Sequence, residues 1–103
     1  MKAPIKELEI LKKLSEEARI HISSSRHHEA EDCLRQALAI DDRFIPALEL
    51  MAALYESRGD EAKGETWRKR VKAVRLEQWE RQVEAEARGR HEMMGEAVRH
   101  EIP

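Results

Sequence analysis

Histidine and cysteine are the side chains of this 103-residue sequence best suited to metal or nucleophilic chemistry. His27 and His28 are adjacent, so on a helix their side chains point about 100° apart. His91 and His100 lack the spacing of a structural zinc site. Cys33 could act as a nucleophile only with His27 or His28 as its base, and a small buried thiol in helix packing is the preferred interpretation. We therefore predict no metal and no cofactor.

The carboxylates recur at helical spacings that suit surface ion pairs. Glu84 and Arg88, four residues apart, are one example. No pair of acids is placed to face across a pocket, and no glycine-rich phosphate loop is present. The five serines and one threonine do not form a nucleophile motif. The sequence predicts no enzyme and no catalytic residue.

The densest positive charge is a basic stripe of Arg68, Lys72 and Arg75 on one helical face. This stripe could bind an acidic ligand such as nucleic acid, a membrane surface or an acidic peptide. It could also be a solvated face neutralised by neighbouring glutamates, and we favour that interpretation. The glutamates in question are Glu61, Glu65 and Glu77. The net charge of −2 also argues against a polyanion binder, so nucleic acid is not an expected partner.

The composition predicts one all-α domain over residues 1–103. There are only four glycines, one phenylalanine and one tyrosine, and no asparagine, which excludes a turn-rich β-fold. No apolar run approaches the ~20 residues of a membrane span, so no membrane association is expected. A single cysteine and the absence of an apolar leader favour a reducing, cytoplasmic compartment.

Apolar periodicity divides the chain into two helix pairs, over residues 5–40 and 45–75. The last helix is predicted to run on to about residue 88, with a kink or break near Gly89 and a kinked end over residues 89–103. It carries a first apolar stripe of Trp67, Val71 and Val74. A second stripe, predicted to be rotated only slightly round the helix, consists of Leu76, Trp79, Val83 and Ala87, continued by Met94.

The two pairs match each other at an offset of 34 residues. The corresponding positions are Leu14 and Leu48, Ala18 and Ala52, Ala30 and Gly64, and Ala37 and Val71. Small residues at Ala18, Ala30, Ala52 and Gly64 suit closely crossing helices. Over residues 11–75 the chain resembles the tetratricopeptide repeat family, whose helix–turn–helix unit has this length. The second unit carries most of that pattern, and in the first unit His21 and Ser25 stand where the family has tyrosine and glycine.

The resemblance implies stacked antiparallel hairpins in a short α-solenoid with a long C-terminal helix. It also implies a peptide- or protein-binding groove on the first helix of each pair. The residues that would line it are Lys12, Ser15, Arg19, Ile22, Glu49, Ala53 and Glu56. Because about three repeats are normally needed for stability, the second stripe is predicted to fold back over the open end or to pair with a second copy.

These expectations together describe a protein-interaction module that forms a homodimer through its C-terminal helix and binds another protein or peptide segment. Two alternatives remain open. One is a small chaperone or assembly factor for a single cognate partner, and the other is a helical nucleic-acid-binding regulatory module that uses residues 68–75.

Overall fold

The computed structural model describes the backbone from Ile5 to Glu101 and the side chains of residues 6–89. Within these bounds the chain forms four α-helices and no strand. In chain order they are α1 (Ile5–Ser23), α2 (His27–Ile40), α3 (Ile45–Ser57) and α4 (Glu61–Glu101). The predicted all-α class, built from helical hairpins, is confirmed.

The turns that close the two hairpins are copies of each other at the 34-residue offset. Ser25 and Gly59 both have a positive φ, of 60° and 81° respectively. In each turn the next amide donates to the carbonyl five residues earlier, over 2.8 Å from Arg26 to His21 and from Asp60 to Tyr55. Together with the bond from the left-handed residue to the carbonyl three residues earlier, this is the Schellman arrangement that ends helices.

Local signals in the sequence set where α3 and α4 begin. Pro46 lies in the first turn of α3, where a missing amide hydrogen costs nothing. The Asp60 carboxylate accepts from the backbone amide of Lys63 over 3.1 Å and so caps α4. Both roles agree with the sequence-based predictions.

The core lies between α1, α2 and α3 and continues along the contact between α3 and α4. Its largest completely buried side chains are leucines from three helices, namely Leu11, Leu34, Leu48 and Leu54. The small residues predicted at helix crossings are buried there, as expected. At Gly64 an added Cβ would lie 2.9 Å from Glu56 Cγ and 3.4 Å from the Ala52 carbonyl oxygen, so a side chain at this position would crowd α3.

Replacing Ala30 with leucine is expected to destabilise the fold by about 1–3 kcal/mol through overpacking. Ala30 is completely buried on the face of α2 that meets the core, so extra methylenes have no free space to enter. Ala39→Leu, at an exposed position of the same helix, is the matched control. Urea denaturation followed by circular dichroism measures the difference, and equal midpoints for the two variants would contradict the tight crossing.

The two apolar stripes of α4 lie on opposite sides of the helix. Val71 and Val74 are 6% exposed and pack with Leu48 of α3. At 100° per residue, Val83 lies about 180° round the helix from Val74. The prediction of a slight rotation between the stripes is therefore wrong. We call the second stripe, Leu76, Trp79, Val83 and Ala87, the outer stripe, because it faces away from α3.

The outer stripe does not fold back over the hairpins in the single chain. The backbone of α4 runs beside α3 and beside no other helix in the part of the chain described. Leu76 is 54% exposed and Trp79 is 60% exposed. The fold-back alternative is therefore wrong, for a geometric reason. A straight helix longer than α3 passes beyond the end of the core instead of returning to it.

Helix α4 also continues without interruption through Gly89 to Glu101, so the predicted break near Gly89 is wrong. A glycine within a helix costs only about 1 kcal/mol relative to alanine, which good helix formers on both sides can offset. The i,i+4 hydrogen bond from Arg88 to Glu84 adds local support. At 1.5 Å per residue the 41-residue helix is about 60 Å long. This length accounts for the long dimension of the molecule, 69 × 32 × 18 Å.

Candidate interaction surface

The Cys33 thiol lies in a setting that favours its protonated form. It is 9% exposed, and it donates a long hydrogen bond to Glu17 Oε2 over 3.9 Å. Burial raises the pKa of this thiol, and the negative charges of Glu17 and Asp32 raise it further. His27, one of the two candidate bases, instead lies 3.2 Å from Ser57 Oγ on α3. In the described region no three metal-ligating side chains come together.

The predicted groove residues do not form one open surface. Ser15 is 7% exposed, and its hydroxyl has no hydrogen-bond partner within the described chain. It belongs to the buried face of α1, so the prediction that Ser15 reaches a ligand is wrong. Lys12 and Arg19 are exposed, Ile22 and Ala53 are half-buried, and Arg19 is bound to Glu16 one turn earlier.

The two groove glutamates are engaged by the basic stripe. Glu49 Oε2 accepts from Arg75 Nη2 over 2.8 Å, and Glu56 pairs with Arg68. Both contacts join α3 to α4 along the edges of their interface. They connect residues 26 and 12 positions apart in sequence, so helix periodicity alone does not pair them.

The basic stripe is therefore largely neutralised within the chain. Arg68 also binds Glu65 over 2.9 Å, and this hydrogen bond lowers the pKa of the Glu65 carboxyl. Glu77, another predicted neutralising residue, pairs instead with Arg43 and with Arg81. Two of the three stripe cations, Arg68 and Arg75, have carboxylate partners, which leaves little free charge for a polyanion.

A polar network that was absent from the sequence-based predictions links α2 to α3. Glu31 accepts hydrogen bonds from Tyr55 Oη at 3.1 Å, from Arg35 at 3.0 Å and from Arg58 at 3.5 Å. Its side chain is 15% exposed. The Arg35 hydrogen bond, followed by that of Tyr55, lowers the pKa of the Glu31 carboxyl. Only the Glu31–Arg35 spacing was visible in the sequence.

Glu31→Gln is expected to lower the free energy of unfolding at pH 7 by about 1–2 kcal/mol, since charged hydrogen bonds are replaced by neutral ones. Because folding lowers the pKa of Glu31, the unfolded chain binds this proton more tightly. The stabilisation is thus present above the ordinary pKa of 4.5 and is lost as the pH falls through the lower folded value. The gap between wild type and variant should narrow in thermal melts as the pH falls below 4.5. Exposed Glu29→Gln is the control, and a gap that does not depend on pH would contradict this role.

A second feature absent from the sequence-based predictions is a cleft of about 340 Å³ between α3 and α4. Tyr55 and Trp67 provide its aromatic walls. Lys63 Nζ lies 5.4 Å from the Tyr55 ring centroid, and the Arg70 guanidinium lies 5.4 Å from that of Trp67. These cation–π contacts hold both cations at the rim. The sequence contained one signal for this cleft. Lys63 and Arg70 lie four and three residues from Trp67, a spacing that places them near it on a helix.

Among residues 6–89 the outer stripe is the most prominent exposed apolar feature. Trp79 and Leu76 have the largest exposed fractions of the large hydrophobic side chains in that range. Val83 is half-buried and Ala87 is exposed, while the side chain of Met94, predicted to continue the stripe, lies outside the described residues. The Arg43–Glu77 ion pair ties α4 to the turn between α2 and α3. From residue 78 to residue 89, the side-chain bonds described are local to α4.

Comparison of the chain with protein-family models, with curated proteins and with solved structures gives no match. None of the helices described is both long enough and apolar enough to cross a membrane. The surfaces themselves are therefore the basis for a functional proposal.

Proposed function

We propose that this chain is a non-catalytic protein-interaction module of the cytoplasm that forms homodimers through the outer stripe. The observation that carries the proposal is the exposure of Leu76 and Trp79 on a helix that extends past its own core. Large apolar side chains grouped on one exposed face are typical of protein-interaction surfaces. The resemblance to tetratricopeptide repeats, which bind proteins, and the absence of a second cysteine support the module and its compartment.

The form of the surface suits a helical partner. Leu76, Trp79, Val83 and Ala87 recur at steps of three or four residues, which gives a narrow apolar line along α4. Glutamates and arginines flank this line and keep the rest of the helix hydrated, as in the i,i+4 pairs Glu77–Arg81 and Glu84–Arg88. A partner helix laid along the line would cover its apolar residues and leave those charges in water.

A nucleic-acid role receives little support from the charges. Arg68 and Arg75 are bound by glutamates of α3, so binding phosphate would require breaking ion pairs already made. The assembly-factor alternative differs from self-association in its stoichiometry. It requires a monomeric chain whose outer stripe is covered only in a complex with another protein.

Sedimentation equilibrium of the full chain across a concentration series tests the proposal. We expect a concentration-dependent rise from 12.0 kDa to twice that mass, with a blue shift of tryptophan fluorescence as Trp79 is covered. A mass that stays at one chain up to about 0.5 mM, far above the micromolar dissociation constants of ordinary protein contacts, would reject self-association.

A further inference from the structure

The charge of α4 changes sign along its length. Residues 61–75 carry six lysines and arginines and two glutamates, whereas residues 76–89 carry four glutamates and two arginines. In the first segment Arg68 and Arg75 are engaged by α3. Lys69 and Lys72 are exposed, and neither forms an ion pair within the described chain. Both lysine charges help to lower the pKa of the Glu65 carboxyl, and neither lysine is engaged by α3.

These lysines share a face with the outer stripe. At 100° per residue Lys69 and Lys72 lie within about 40° of Leu76 round the helix axis, and so does Glu80. Followed from the start of α4, this face presents lysines first, then the apolar line, with Glu80 within that line. All of it faces away from α3, because Val71 and Val74 occupy the opposite side.

We infer that the outer stripe pairs with α4 of a second copy in antiparallel order, with the two-fold axis between Trp79 and Glu80. This inference rests on the self-association proposed above. In this register Leu76 of one copy is level with Val83 of the other, and the two Trp79 side chains meet at the axis. Lys72 is level with Ala87 of the second copy, beside its Glu86, so residues 70–75 of each helix, with three cations, lie along residues 84–89 of the other, where Glu84 and Glu86 lie.

The parallel order is disfavoured by the same charges. It would set Lys69 and Lys72 each level with the identical residue of the second copy, and like charges at such distances repel. The antiparallel order also keeps the two cores apart. Each core lies on the outer side of the two paired α4 helices, because the outer stripe points away from α3. The two cores lie at opposite ends of this helix pair.

Disulfide trapping distinguishes the two orders. Cys33→Ala removes the native thiol, and Leu76→Cys and Val83→Cys are introduced into separate chains, one of them carrying a short tag. Each variant is first shown to dimerise, and the two are then mixed and oxidised. We expect the mixed disulfide between residues 76 and 83. In the antiparallel dimer, residue 76 of one chain would lie about 10 Å along the helix axis from residue 76 of the other chain. This separation exceeds the ~7 Å between Cα atoms that a disulfide tolerates, so two cysteines at position 76 would not pair.

The outcomes separate failure of the order from failure of the proposed function. Disulfides between identical variants, or dimers that form no disulfide at all, overturn the antiparallel register while self-association stands. A native chain, without the introduced cysteines, that is monomeric by sedimentation rejects self-association itself. Only a clear excess of the mixed disulfide supports the inference.

A charge exchange gives a second, independent readout on the otherwise native chain. Lys72→Glu is expected to weaken dimerisation about 3- to 10-fold, because each dimer loses two attractive contacts with the acidic segment. Adding Glu86→Lys to the same chain should restore the affinity, because the pair is re-formed with its signs exchanged. An unchanged affinity in Lys72→Glu, or no recovery in the double variant, would overturn the register.

Discussion

Trp79→Glu is expected to convert the proposed dimer into a monomer without lowering the melting temperature of the fold. A buried tryptophan at an interface typically contributes 2 kcal/mol or more to binding, and a symmetric dimer contains the residue twice. The dissociation constant should therefore rise about 100-fold or more. Because Trp79 is 60% exposed in the single chain, its loss should change the free energy of unfolding by about 0.5 kcal/mol at most.

Gln78→Glu is the matched control for this variant. It adds the same charge one residue away, at an exposed position on the side of α4 opposite the outer stripe. Sedimentation should show a monomer for Trp79→Glu and a dimer for Gln78→Glu at equal concentration. Equal dissociation in both would mean that charge alone, and not the stripe, controls the mass. Unfolding of Trp79→Glu at low concentration would mean that the stripe supports the fold of the single chain.

Leu48→Ala is expected to cost about 2–5 kcal/mol, a large part of the stability of a domain of this size. Leu48 is completely buried and packs against Val71 and Val74, so the cavity opens where α4 docks on α3. Urea denaturation at a concentration below that of dimerisation measures the loss. Hydrogen exchange should show the amides of residues 61–75 deprotected most.

Leu8→Ala controls for the loss of the same side-chain atoms at a site that is 37% exposed. Its midpoint should remain close to that of the wild type, because its surroundings can fill with water. If both leucine variants lost equal stability, the docking of α4 on α3 would not depend on Leu48.

Much of the fold could be predicted because its signals are local or periodic. Asp60 caps α4 through an amide three residues away. Gly59 ends α3 because a left-handed residue is required there. The small residues Ala30 and Gly64 revealed the crossings by their size and by their shared 34-residue spacing, which recurs in the hydrogen bonds of the two turns.

The residues of the candidate surface were predicted, but their exposure to solvent was not. Leu76 and Trp79 were identified as an apolar stripe, yet whether such a stripe is covered by its own chain depends on the direction in which the helix leaves the core. The wrong prediction of a slight rotation between the two stripes of α4 had the largest effect. A difference of two residues between Val74 and Leu76 amounts to 200° round a helix, which turns the second stripe from the core to solvent.

Contacts between distant residues could not be predicted at all. The Glu31–Tyr55 hydrogen bond joins residues 24 positions apart, and the Arg75–Glu49 pair joins residues 26 apart. Many carboxylates in this sequence could have met each arginine, and only the packing of α2, α3 and α4 selects one. The sequence therefore predicted that glutamates neutralise the basic stripe, but it did not identify most of them. Of the three predicted glutamates, Glu65 is the one that the structure places beside the stripe.

The sequence by itself determined that this chain is helical, where three of its helices end, and that small residues would meet at two crossings, since each depends on neighbours within about one helical turn or on a regular spacing. Only the tertiary structure decided that α4 runs straight past its core, that its tryptophan stripe faces outward, and which glutamate neutralises each arginine. The physical reason is that these features depend on the relative positions of whole helices, which are fixed by burial summed over the core and not by any local sequence pattern.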